Sequence, residues 1–211
     1  MVDLKLFLKS YWEYYLELEE QLIETKRFVA FDKANAKAFS IEYLKLYQAV
    51  CSEIDVVGKE IASAVNPSFK IDNNTNIKKW GYEVQQHFPL LKDRKVLFVG
   101  EEIFQPFKNW EYEYNTISTK KGTRSELRIK DAKETMVWWR NYNEIKHRRI
   151  GLVEGTKNFQ LANQQNLIQA FAALYILETL YIEELESKEK ANRHGSRLFK
   201  MVTPAGEEDR K

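Results

Sequence analysis

A single cysteine, Cys51, excludes any disulfide within the chain. It stands between Val50 and Ile54 in an apolar helical pattern, which predicts a buried, inert thiol rather than a nucleophile. Long hydrophobic runs are missing as well. No stretch reaches the roughly 20 apolar residues of a membrane span, and the best candidate, 167–182, is interrupted by Gln169 and Glu178. The first residues, M-V-D-L-K, carry charge where a signal peptide would be apolar. The expectation is a soluble cytoplasmic protein with no membrane contact, in which the Asn73-Asn74-Thr75 sequon has no meaning.

Histidine is scarce: His87, His147 and His194 lie far apart, no H-E-x-x-H occurs, and one cysteine builds no zinc site. Gly151 and Gly155-Thr156-Lys157 lack phosphate-loop spacing, and there is no G-x-S-x-G elbow. The carboxylates are scattered. Neither a metal nor a cofactor is expected.

What is present is core material. Hydrophobic residues make up 44% and aromatics 13% of 211 residues, enough for one domain with a sizeable insertion. The net charge of +2 gives no overall signal for nucleic acid. Its distribution does: residues 120–149 hold ten basic and four acidic side chains, leaving the rest of the chain negative. Two explanations stay open, a surface for a phosphate backbone or a lysine-rich loop beside a solvated helix face.

Asp3 caps a predicted first helix to about Val29, with Leu4, Leu8, Tyr11, Tyr15, Leu18 and Leu22 as its stripe. Its aromatic cluster reads as core or dimer interface before it reads as a base-stacking surface. Ser40 begins a second helix that ends before Asn66-Pro67, because the residue ahead of proline is pushed out of the α region. Glu53 or Asp55 from its middle is a candidate to face the third helix. Residues 66–130 hold three of the four prolines and read as an insertion: loop, a short helix over 78–88, strand-like 95–99 and 110–114, and a mobile basic loop at 120–124. A third helix is predicted over 131–149, a break at 151–155, and a largely buried fourth helix over 161–186. The domain spans 1–190 and a frayed tail 191–211. The fold class expected is mainly α, an antiparallel helical bundle with an irregular insertion holding a short β-hairpin.

Chemistry concentrates at 137–149, V-W-W-R-N-Y-N-E-I-K-H-R-R. On a helix, Arg140 and His147 lie two turns apart on one face with Asn143 and Glu144 between them, while Trp138, Tyr142 and Ile145 point the other way. Asn141 and Asn143 cannot both share the arginine's face. Arg140-Asn141 with six residues to His147 resembles the R-x(4–6)-H motif of the HEPN superfamily, all-helical domains of prokaryotic defence and RNA processing. Tyr142-Asn143 and Lys146-His147-x-Arg149, ahead of a long apolar helix, also resemble HEPN-like bacterial proteins.

The resemblance implies a metal-independent endoribonuclease, a toxin or phage-defence effector, acting on RNA as a homodimer that pairs two motif helices and leaves a 2′,3′-cyclic phosphate. It implies His147 as acid/base, Arg140 on the phosphate, Asn141 orienting groups nearby, and Lys146, Asn143, Arg148 and Arg149 attracting substrate. A cognate antitoxin or nucleotidyltransferase is the implied protein partner. The competing expectation is a non-catalytic helical module that binds a nucleotide or a partner protein. There His147 only donates to a carbonyl or to Glu53, and Arg140 only pairs with Glu144.

Overall fold

The computed structural model describes residues 3–99, 101–119, 122–132, 134–186 and 194–202. Helices dominate, as the hydrophobic periodicity requires. α1 (Leu4–Phe7) opens with Asp3 accepting the Leu6 N–H at 2.8 Å, the predicted cap. A π-helical turn, Leu8–Trp12, leads straight into α2 (Glu13–Thr25). The extra residue turns Trp12 and Tyr15 inward together, so that their rings stack at 4.9 Å. The helix stops at Thr25, short of Val29, because its last carbonyls are taken up by a turn through Phe28.

α3 (Ile41–Val65) starts where Ser40 accepts the Tyr43 N–H at 3.0 Å and ends at Asn66, extended ahead of Pro67. α6 (Gln164–Glu186) packs along it, buried on every side through its middle. α4 (Ile77–His87), capped by Asn76, crosses α3 where Trp80 lies against Gly58. A Cβ at Gly58 would stand 2.5 Å from that ring, so only glycine allows the approach.

The inserted region carries more sheet than one hairpin. β1 (Val96–Phe98) pairs antiparallel with β2 (Glu102–Phe104), and β3 (Tyr112–Thr119) with β4 (Gly122–Ile129). The expected basic loop is thereby corrected in part: residues 122–124 open β4, while Lys120 and Lys121 lie outside the described residues. The third helix is shorter than its periodicity suggested. Asp131 and Met136 take left-handed backbone (φ 46° and 47°), and the Thr135 hydroxyl donates to Asn109 and Lys130 carbonyls, so 131–132 and 134–136 are turn and α5 is Val137–Arg148. The break at 151–155 is a small hairpin, β5 (Leu152–Val153) with β6 (Thr156–Lys157).

The frayed tail needs the largest correction. β7 (Phe199–Met201) joins β1 on the edge opposite β2, and the segment before it is tied to α2. Residues 203–211 lie outside the described residues. Among the described residues no helix is long and apolar enough to cross a membrane.

Glu178 is the polar exception in the core. It is fully buried in α6, and among the described residues neither carboxyl oxygen has a hydrogen-bond partner. Burial first, and then the Glu53 carboxyl, push its pKa well above the carboxylate range. Folded chains therefore hold this proton after unfolded chains have lost it, and stability falls as pH climbs past the ordinary glutamate pKa. Glu178→Met is expected to raise unfolding free energy by about 2 kcal/mol near neutral pH and to flatten that decline. Urea unfolding across pH measures both; a less stable methionine variant would contradict the reading.

Candidate functional site

α5 is fixed at both ends by groups outside it. Trp138 donates its indole N–H to the Pro106 carbonyl at 2.9 Å, and the Tyr47 hydroxyl donates to the Trp138 carbonyl. At the other end Asn158, almost fully buried, donates its amide to the carbonyls of Glu144 (3.2 Å) and Arg148 (2.7 Å). Sequence reasoning passed over Asn158, since a lone asparagine after a hairpin carries no distinguishing signal. Trp138, Tyr142 and Ile145 are buried as predicted, and Trp139 packs half-buried beside them. Lys146, His147 and Arg148 fill the last turn, where the lysine and arginine cations complement the helix dipole.

The expected site residues divide between two sides of this helix. A cleft of about 300 Å³ is lined by Asn143, Lys146 and His147 together with Ser52 and Asp55 of α3, Asn76, Trp139 and Tyr142. His147 is exposed at its mouth. Lys146 places its ammonium 5.7 Å from the centre of the Tyr142 ring, a cation–π arrangement. Asn143 donates to its own helix, to the Trp139 carbonyl at 3.1 Å, which leaves its carbonyl oxygen for other partners. Asp55, not Glu53, is the α3 carboxylate that reaches the cleft. It accepts the Trp80 indole N–H at 2.9 Å and pairs with Lys59. Burial, and then Cys51 and Asp55, push the Tyr142 hydroxyl up to about 12, so it is a neutral donor at neutral pH.

Asn141 faces away from this cleft. It is buried and lines a second, larger cavity bounded by α6, the 105–109 loop and the 37–39 segment. Its expected place beside Arg140 and His147 is therefore corrected: a residue one step from Arg140 is turned about 100° around the helix. Arg140 is half-buried, and Arg148 and Arg149 are exposed near the helix end, with Arg149 3.5 Å from Gln48. None of these three arginines lines the His147 cleft.

Part of the basic excess over 120–149 is neutralised locally, because Arg128 meets Glu126 at 3.3 Å and Lys130 meets Glu111 at 3.6 Å. Among the described residues no group of three or more histidine, cysteine, aspartate or glutamate side chains is placed to hold a metal ion. Comparison of the chain with protein-family models, with curated proteins and with solved structures finds no match.

Proposed function

We propose that this chain is a metal-independent endoribonuclease of the HEPN type, with His147 as its acid/base group. One observation carries the reading: His147 stands exposed at the mouth of a cleft that also holds Lys146 and Asn143, and no hydrogen bond among the described residues engages its ring. Its ring is presented to solvent beside a cation and an amide.

The chemistry is attack of a ribose 2′-oxygen on the adjacent phosphorus, with departure of the 5′-oxygen. One group takes the 2′-proton and another protonates the leaving oxygen on the far side of phosphorus. A single His147 cannot stand on both sides of an in-line displacement. Two copies of α5 related by a two-fold axis supply both, which is why the reading requires a homodimer. Lys146, the cation in the cleft, attracts the phosphate as a point charge and offsets charge growing on its oxygens, whereas Arg140 lies outside the cleft.

The test is cleavage of single-stranded RNA by the purified protein in EDTA. The expected products end in 2′,3′-cyclic phosphate. Intact RNA, or cleavage only after Mg²⁺ is added, overturns the assignment. A second reading, a non-catalytic module for a protein partner such as an antitoxin, draws on Ile150 and Leu152, 94% and 68% exposed directly after the basic end of α5. It predicts a stable complex that survives loss of His147.

A further inference from the structure

The cavity on the reverse side of α5 has a ligand-sized volume, about 750 Å³. Its lining is unusual for the number of side-chain carboxamides. Gln105, Gln160, Asn163 and Asn166 are engaged with backbone groups. Asn141 is not: it is only 7% exposed, it lines the cavity, and no hydrogen bond among the described residues engages its carboxamide. Its donor and acceptor are therefore open to whatever fills the cavity, solvent or ligand. Gln169 of α6 offers a second carboxamide on the same lining.

We infer that this cavity binds a nucleobase carrying a single phosphate. Each carboxamide presents one donor group and one acceptor side by side, the pattern that pairs with adjacent donor and acceptor atoms on a base edge. The exposed ring of Phe39, 45% accessible and held edge-on by Phe159 at 5.7 Å, offers an apolar face for a planar heterocycle. Lys37 and Lys108 are exposed on the lining and suit a phosphate. Glu134 shares it and offsets one of them, which favours one phosphate over a polyphosphate. The site is separate from the His147 cleft and does not depend on cleavage there.

Isothermal titration of the full chain with AMP, GMP, CMP, UMP and ribose 5-phosphate tests it. At least one nucleotide is expected to saturate with Kd below about 1 mM, and ribose 5-phosphate to bind at least about tenfold more weakly. Asn141→Leu is expected to weaken the preferred nucleotide by about tenfold, and Phe39→Ala, a surface change that leaves the fold intact, by about fivefold. No saturable nucleotide, equal binding of ribose 5-phosphate, or unaltered affinity in both Asn141→Leu and Phe39→Ala overturns the inference. The same base is then offered at the end of a trinucleotide. Tighter binding of the trinucleotide identifies an RNA strand as the source, and tighter binding of the mononucleotide identifies a free nucleotide.

Discussion

His147→Ala is expected to lower RNA cleavage in EDTA by about a thousandfold, the scale of a lost general acid–base group, with the melting temperature unchanged. The two halves of that result belong together. His147 is exposed, sits in the last turn of α5 and makes no hydrogen bond among the described residues, so its removal opens no cavity and orphans no partner. Loss of activity in an equally stable dimer would therefore be loss of chemistry. In a dimer where one His147 is base and the other acid, a mixed dimer of wild-type and variant chains should be nearly as impaired as the variant, because either role alone leaves one proton unmoved. Lys146→Ala should act differently, raising KM more than it lowers kcat, since a point charge that attracts phosphate helps bound substrate and transition state alike. Equal cleavage by wild type and His147→Ala would place the activity elsewhere.

The helices were legible where a local rule acts alone. Asp3 and Ser40 are caps whose side chains reach the amides that their sequence positions imply, and Asn66-Pro67 stops α3 for a steric reason confined to two residues. Where tertiary contacts decide, periodicity misled. Nothing between 131 and 136 forbids a helix, yet Thr135 is held by carbonyls 26 and 5 residues away, and the chain turns instead. β7 is three residues long and exists because β1 offers it an edge, a fact about residues 96–98 that a reading of 199–201 cannot contain.

The site followed the same division. Helical geometry already set Asn143 and His147 on one face and Asn141 on another. Which asparagine met a cleft, and which α3 carboxylate joined it, depended on how α3, α4 and α6 pack around α5. Asp55 reaches the cleft because it is drawn to the Trp80 indole, whose position in turn depends on Gly58. Glu53, two residues earlier on α3, does not line the cleft and instead bears on the buried Glu178, whose pKa it helps to raise.

Glu19→Ala is expected to destabilise the protein by about 4 kcal/mol, the range for removing a buried, multiply bonded carboxylate. Glu19 is 1% exposed in α2 and gathers the C-terminal segment onto the bundle. One oxygen accepts the Tyr15 hydroxyl at 2.8 Å, the Ser196 hydroxyl and the Leu198 N–H at 3.3 Å; the other accepts the Arg197 N–H at 2.8 Å. Alanine would leave those donors facing a void, and the loss would spread. Trp12 donates to the His194 carbonyl at 2.7 Å, and β7 holds β1 through Val99 and Val202 amides, so releasing 194–198 frees one edge of the sheet. Glu19→Gln separates geometry from hydrogen bonding, because its NH₂ must face one of the donors while the volume is kept; about half the loss is expected. Urea unfolding gives the free energies, and amide exchange at Val99 and Val202 shows whether β7 leaves first. A loss below about 1 kcal/mol for alanine would mean that sheet pairing alone holds the segment. Protection at Val202 that outlasts that at Leu198 would mean the same. The expected order is the reverse, because a three-residue edge strand offers few hydrogen bonds, whereas one buried carboxylate fixes four donors at once.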